Sequence, residues 1–406
     1  MKKTIIYIGG FEFPDKNAAA QRALSVGKVF KVIGYNVVFI GISRDFSHSD
    51  DIDILHTRKE CDGFETWSIP YPITKLDRLK YLLTPGGLQK IIKHLDTPIH
   101  SVVCYNYPAI AGYKVKNICK TCNAFFIPDV TEWYNSFGRG FVESSIKWFD
   151  TSLRMRVVNF FADGLITTSP YLTSFYRSNS SNIVELPTLY DKEMLRKGGT
   201  FTHKDNKIRK ILYAGNPFSP YTNKSNKLGV KDRLDKVIFL LGRVIKENFV
   251  LNIYGVDKNR YLEVYPEHRD LLDRLNKKII FNGKRPYLEI ISNIKDSDFT
   301  IFFRDIFRVT KAGFPSKYSE SITCGTPVIT NLISNIEPYA IQGRNTFLVD
   351  IDNDVNSLSN MENILTLSDA DLEKTKEFCI QSNTFDYKKY SERVENFIKG
   401  VENGRQ

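Results

Sequence analysis

Cysteine is scarce in this 406-residue sequence, and its placement excludes more than it offers. The six cysteines stand at positions 61, 104, 119, 122, 324 and 379, and the Cys119-Lys120-Thr121-Cys122 pair has no second pair with which to complete a zinc tetrad. They read as core thiols of a cytosolic protein, and no metal is expected. Long apolar runs are missing as well. The stretch Ile5-Ile6-Tyr7-Ile8 after Met1-Lys2-Lys3-Thr4 stops at Gly9-Gly10, too short for a signal-peptide core, and no window approaches the roughly 18 uncharged residues of a membrane span. A soluble, cytoplasmic protein is the expectation. There is no Gly-x-Gly-x-x-Gly fingerprint, so a nicotinamide-dependent dehydrogenase is unsupported. Zinc-finger, basic-helix and RNP-like patterns are missing too, and the basic residues are spread along the chain, which disfavours nucleic acid as a partner. The six histidines fall in none of the motifs below.

What is present is an ordinary globular composition, 42% apolar and 25% charged. The length exceeds the roughly 250–300 residues at which one core stops growing, which implies two domains. Lysine and arginine total 57 against 46 acidic residues, a formal charge of +11 that favours anionic partners such as nucleotide phosphates or lipid headgroups.

Strand and helix patterns alternate twice along the chain. In the first half, strands are predicted at residues 4–9, 36–41, 101–105, 124–128 and 164–168, with helices over 17–33 and 109–122. After Leu186-Pro187 a polar stretch rich in Lys, Gly and Thr reads as a linker up to Lys210. The alternation then restarts with strands at 211–214, 249–254, 279–281 and 299–303 and helices over 231–246 and 287–293. Such alternation predicts parallel sheets with right-handed crossovers, hence an α/β architecture of two doubly wound domains facing a cleft. Residues 387–401 read as a terminal amphipathic helix.

The segment from Phe314 to Thr330 is the most informative. Pro315 suits the first position of a helix, Gly325 the residue past its end, and Pro327–Thr330 restarts as a strand. The unpaired amides and positive dipole end of this helix, with Lys317 beside them, suit a phosphate. Glu320 lies four positions after Ser316 and three after Lys317, on the same face and about 5.4 Å deeper, a step comparable to that from a diphosphate to its ribose. A solvated Lys317–Glu320 ion pair would show the same spacing.

The string Pro315-Ser316-Lys317-x-x-Glu320 followed by Cys324-Gly325-Thr326-Pro327-Val328-Ile329 resembles the nucleotide-sugar signature of the large retaining GT-B glycosyltransferase family that includes many bacterial surface-polysaccharide enzymes (glycosyltransferase group 1, family four-like). The resemblance implies that Glu320 holds the ribose of a nucleotide-diphosphate sugar and that Ser316 and Lys317 face its phosphates. Many members carry a second Glu eight positions before the first, against the donor sugar, where this sequence has Ala312. An Arg ends the preceding strand in the subgroup with a Pro-x-Lys entry, and Arg304 occupies that place; a surface charge is the alternative. Leu212-Tyr213-Ala214-Gly215-Asn216 with Lys231 resembles the loop and lysine that embrace the pyrophosphate, although Lys224, Lys227 and Arg233 compete with Lys231. Gly9 and Gly10 resemble the family's glycine loop beneath the donor, or are plain turn glycines.

Pro128-Asp129-Val130-Thr131-Glu132-Trp133-Tyr134 resembles the acceptor-facing loop, where Asp129 would take the proton of the attacking hydroxyl or, alternatively, cap a helix. Residues 145–161 combine Lys147, Arg154 and Arg156 with Trp148, Phe149 and Phe161; a core helix is favoured, and a basic aromatic helix on an anionic inner membrane face is the other reading. The resemblance divides the chain into an acceptor-binding domain at 1–190, a nucleotide-sugar domain at 208–382 and a helix at 383–406 returning to the first. It implies transfer of a sugar to a glycan or lipid-linked glycan with retained configuration, no metal and no cofactor beyond the donor. A non-catalytic GT-B subunit and a sugar-nucleotide epimerase are the alternatives.

Overall fold

The computed structural model describes residues 2–13, 18–46, 53–134, 141–178, 180, 182–196, 208–227, 230–244, 248–333 and 335–405. Eight strands form the first sheet: β1 (Thr4–Gly9), β2 (Asn36–Ser43), β3 (Lys59–Cys61), β4 (Phe64–Pro70), β5 (Ile99–Tyr105), β6 (Phe125–Val130), β7 (Leu165–Thr167) and β8 (Ile183–Glu185). Their order is β3-β4-β2-β1-β5-β6-β7-β8, parallel throughout except for β3 on β4. Every residue of β1 is buried because helices cover both faces. Ile5 and Tyr7 pack with the helix Ala18–Val32, whereas Ile6 and Ile8 pack on the opposite side with Val115 and Ile118 of the helix Ala109–Thr121.

The second sheet holds β9 (Arg209–Ala214), β10 (Phe249–Tyr254), β11 (Ile279–Gly283), β12 (Phe299–Ile301), β13 (Val328–Thr330) and β14 (Thr346–Leu348) in the order β11-β10-β9-β12-β13-β14, all parallel. In both sheets the order reverses beside the first strand, between β1 and β5 and between β9 and β12. A crevice opens outside the carboxyl ends of strands at such a switch point. Gly9-Gly10 leave β1 there, and Gly215-Asn216 leave β9 at the equivalent place. The terminal helix Ser391–Asn403 places Val394, Phe397, Ile398 and Val401 in the same core cluster as Ile5 and Tyr7 of the first sheet.

Ten of these strands match the sequence expectations, while β3, β4, β8 and β14 were not anticipated. The helix expected over 231–246 is shorter, Leu234–Leu241, because Asp232 adopts φ 42 and interrupts it. The segment 145–161 starts earlier, as a helix Phe141–Arg156 followed by a 3-10 turn Val158–Phe161. It is not the core helix expected: Thr151, Arg154 and Met155 are buried, but Val142, Ile146, Trp148 and Phe149 are all exposed. Part of the expected linker, residues 197–207, lies outside the described residues.

Candidate functional site

The helix Ser316–Thr323 forms where punctuation predicted it, with Pro315 just before its first turn and Gly325 at φ 86 just past its end. Gly325 N–H donates to Ile322 O at 3.0 Å and Thr326 N–H to Ser321 O at 3.0 Å, which closes the last turn. Its buried side is fixed by Tyr318, whose hydroxyl meets Thr346 Oγ1 at 2.8 Å, by Ser321 against Thr300 Oγ1 at 2.6 Å, and by Ile322 in the core. Ser316, Lys317 and Glu320 share the partly exposed side, as their spacing requires.

Lys317 meets Tyr213 of β9 and Asp232, which lies just before the helix Leu234–Leu241. Its Nζ lies 2.6 Å from Asp232 Oδ2 and 4.3 Å from the centre of the Tyr213 ring, while Arg304 Nε lies 2.5 Å from Asp232 Oδ1. One buried carboxylate thus bridges two cations. Burial alone would raise the Asp232 carboxyl, but Arg304 and Lys317 outweigh it and hold it well below the ordinary range. Burial pushes the Lys317 ammonium down, and Asp232 opposes that push. Gly215 runs beneath the lysine at φ 127; a Cβ there would sit 2.7 Å from Lys317 Cε and Nζ. The neighbouring Asn216 is exposed and uses Oδ1 to accept from Phe218 N–H at 3.0 Å, shaping the loop.

Glu320 occupies the other end of the same face. Its Oε1 accepts from the Tyr287 hydroxyl at 2.9 Å and from the Tyr190 hydroxyl at 3.4 Å; Tyr190 also donates to Ser316 O at 3.4 Å. Oε2 has no protein partner among the described residues. Burial raises the Glu320 carboxyl above its ordinary range, and the two phenols and Lys317 moderate the rise. The helix therefore presents cationic groups at its first turn and a carboxylate one turn on.

The first domain supplies the opposing side. Gly9 is needed for packing, since a Cβ there would lie 2.7 Å from Tyr105 Cβ; Gly10 has more room, with Tyr81 Oη at 3.1 Å. Asp129 does not face an acceptor, contrary to expectation. It is fully buried, with Arg22 Nη2 2.7 Å from Oδ1, Arg22 Nε 3.0 Å from Oδ2 and the Tyr7 hydroxyl 2.5 Å from Oδ2. Strand β6 runs two residues past Pro128, so Asp129 points to the same side as Ile127, where the helix Ala18–Val32 brings Arg22. The carboxylate of this loop that reaches the second domain is Glu132, 3.8 Å from Lys231 Nζ. Lys231 accordingly stands apart from the Asp232 cluster, more than half exposed.

Two further contacts join the domains close to the site. Ser169 Oγ donates to Ala312 O at 2.7 Å, and Arg308 lies 5.0 Å over the Trp133 ring. Ala312, the residue standing where a second Glu was sought, is fully buried among Val130, Trp133, Leu172 and Tyr176 of the first domain. Sequence reasoning missed Asp232, Tyr190, Tyr287 and Arg22. For Asp232 the available signal was a lone acidic residue inside Lys231-Asp232-Arg233, at the start of a predicted helix.

No protein-family model matches the chain, and no curated protein does. Solved structures do. Sucrose-phosphate synthase from Thermosynechococcus elongatus is similar with a TM-score of 0.66 at 12% identity, over 98% of this chain and 99% of that one. The catalytic domain of starch synthase IV from Arabidopsis thaliana, bound to ADP and acarbose, gives 0.67 at 12% identity over 99% and 100%. HepE from Anabaena in complex with UDP gives 0.62 at 11% identity over 98% and 100%. Likeness at such identity shows the fold, which is GT-B: two Rossmann-like parallel-sheet domains facing a cleft.

Proposed function

We propose that this GT-B chain is a glycosyltransferase that moves a sugar from a nucleotide-diphosphate donor to a hydroxyl of a glycan or lipid-linked glycan in cell-surface polysaccharide synthesis. The observation that carries the reading is the single face of the helix Ser316–Thr323, with Lys317 and Arg304 gathered on Asp232 at one end and the free Oε2 of Glu320 one turn away. Cations and helix amides suit a diphosphate, and a carboxylate suits ribose hydroxyls. That neighbours of the same fold were solved with UDP or ADP supports the choice of ligand class.

In this reading the bond from the anomeric carbon to the diphosphate oxygen breaks, and its electron pair leaves with the phosphate. Lys317, Arg304 and the helix amides stabilise that charge with no metal required. The acceptor oxygen bonds to the same face, with retention, and its proton passes to the departing phosphate oxygen. Glu132, partly exposed and reaching across the domains, replaces Asp129 as the carboxylate facing the acceptor, where it orients the attacking hydroxyl without taking its proton.

A membrane-bound acceptor fits one surface of the first domain. Ile73, Leu76 and Leu79 on or beside the helix Lys75–Leu83 are exposed, as are Val142, Ile146, Trp148 and Phe149, and Arg78 meets Glu143 at 3.3 Å between the two helices. Lys75, Arg78 and Lys80 lie among these apolar groups, a composition suited to anionic headgroups. Among the described residues no helix is long and apolar enough to cross a membrane.

A thermal-shift screen with uridine, guanosine and adenosine diphosphates and their sugars, with and without chelator, tests the donor reading. One nucleotide series should raise the melting temperature with chelator present; no shift at millimolar concentration would remove the donor site. The buried Ala312 favours one second reading, a GT-B subunit that binds a nucleotide without turning it over. Slow donor hydrolysis without acceptor separates an active site from that alternative.

A further inference from the structure

Asp232 is the unassigned residue at the centre of the cationic cluster, and its backbone shows how firmly it is placed. It holds φ 42, a conformation uncommon for a residue with a side chain and maintained only where the surroundings over-determine it. Two bonds do so: the Tyr213 hydroxyl donates to Asp232 O at 3.0 Å, and the next amide, Arg233 N–H, donates to Phe303 O at 2.6 Å. Arg304 is clamped as well, its N–H on Asn331 Oδ1 at 2.8 Å and its carbonyl accepting from Asn331 Nδ2 at 2.9 Å. The carboxylate is 6% exposed.

We propose that Asp232 is a positioning residue for the diphosphate: it gathers Lys317 and Arg304 around one carboxylate while leaving each cation donors to spare. This rests on the donor reading given above. Arg304 spends only Nε on Asp232, and neither Nη has a protein partner among the described residues. Lys317 Nζ meets one oxygen as an ion pair and makes no aligned hydrogen bond. Without the carboxylate, two cations would share a poorly solvated pocket and repel each other.

Protonation of the lysine is the consequence that can be measured. The groups facing Lys317 are Asp232, which favours the ammonium, Glu320, which does so less strongly, Arg304, which disfavours it, and the face of the Tyr213 ring. A diphosphate binds the ammonium better than the amine. Affinity therefore falls as pH rises through the lysine pKa of the free protein, by up to roughly tenfold per pH unit. Removing Asp232 lowers that pKa, so the fall moves to lower pH. Removing Arg304 raises it, so the fall moves to higher pH. The second phosphate ionisation, near pH 6, is common to every variant.

The experiment titrates the tightest of uridine, guanosine or adenosine diphosphate by calorimetry from pH 7 to 9.5 with wild type, Asp232→Asn, Asp232→Gly, Arg304→Gln and Lys317→Met. Asn and Gly both tolerate the positive φ. The midpoint of the fall should drop in both Asp232 variants, rise in Arg304→Gln, and vanish in Lys317→Met. Unchanged midpoints in folded Asp232 variants, with wild type still binding, would overturn the role of Asp232 and leave the donor reading standing. Should the Asp232 variants not fold, a midpoint that fails to rise in Arg304→Gln overturns it instead. Wild type that binds no diphosphate removes both.

Discussion

Replacing Glu320 by Ala tests the ribose end of the site with the least disturbance to the phosphate end. Its Oε1 is shared by the Tyr287 and Tyr190 hydroxyls at 2.9 and 3.4 Å, which leaves Oε2 for a ligand. Hydrogen bonds to a charged acceptor contribute about 1.5–3 kcal/mol net, so affinity for the nucleotide should fall roughly ten- to a hundredfold. The variant also removes two hydrogen bonds from phenols, and at about 0.5–1.5 kcal/mol each the fold should lose about 1–3 kcal/mol. Melting temperature should then drop by a few degrees, at roughly 2–4 °C per kcal/mol for domains of this size. Glu320→Gln keeps an oxygen for the phenols and should lose less of both. A pH dependence separates charge from shape. Burial raises the Glu320 carboxyl, so in wild type nucleotide affinity is lost as pH falls through that raised value. Glu320→Gln should show only the titration of the nucleotide's own phosphate. Calorimetry on the three proteins between pH 4.5 and 7.5, with melting curves alongside, reads all of this; unchanged affinity accompanied by a lowered melting temperature would refute the ribose role and leave Glu320 an acceptor for two tyrosines.

Gly215→Ala should weaken diphosphate binding with the fold kept, because the new Cβ would lie 2.7 Å from the movable end of Lys317 and the backbone at φ 127 costs about 1–3 kcal/mol with a side chain. Unaltered nucleotide affinity by calorimetry would show that Lys317 is not held where the diphosphate binds. Asp129→Asn should destabilise by about 3–5 kcal/mol, since it leaves Arg22 buried without its anion. A denaturant midpoint equal to wild type would refute that, and a selective loss of transfer would restore Asp129 to the acceptor. Wild type should float with phosphatidylglycerol vesicles and not with phosphatidylcholine vesicles, and Trp148→Ser with Phe149→Ser should release it. Failure of wild type to float with either would remove the membrane surface.

The strands that the sequence reveals best are those buried on both faces, such as Thr4–Gly9 and Ile99–Tyr105, which read as apolar runs because parallel sheets demand it. Those it hides are short or half polar. Ile183–Glu185 and Thr346–Leu348, of three residues each, carry too little pattern, whereas the pair β3–β4 did carry a signal in Asp62-Gly63, a two-residue hairpin turn with φ 51 and 72 at its centre. The same divide runs through the site. Lys317 and Glu320 are three apart on one helix, so local geometry places them together. Asp232, Tyr190 and Tyr287 reach that helix only through tertiary folding; nothing local marks the two tyrosines, and Asp232 is marked only as the lone acid between Lys231 and Arg233. Asp129 shows the complementary error: the loop composition was legible, but whether its carboxylate lay in the loop or in the strand depended on where β6 ended, and two residues decided it.

Ala312 bears on how the sugar is recognised. A Glu there, as in many members of the family that the sequence resembles, would have to enter the cluster formed by Val130, Trp133, Leu172 and Tyr176, where Ala312 is fully buried. Overpacking alone would cost about 1–3 kcal/mol, and an ionised carboxylate without a partner considerably more. Its backbone carbonyl is already bonded to Ser169 Oγ, and Arg308 one turn earlier rests on Trp133. In this arrangement of the domains the alanine is required, because the short helix Arg308–Ala312 serves as a joint to the first domain. On the proposed donor reading, the phosphate and ribose ends of the site stand on the helix Ser316–Thr323 and not on that joint. On that reading, a departure confined to position 312 bears on the sugar end and spares the nucleotide end, so an alanine there is compatible with nucleoside-diphosphate binding through Lys317 and Glu320.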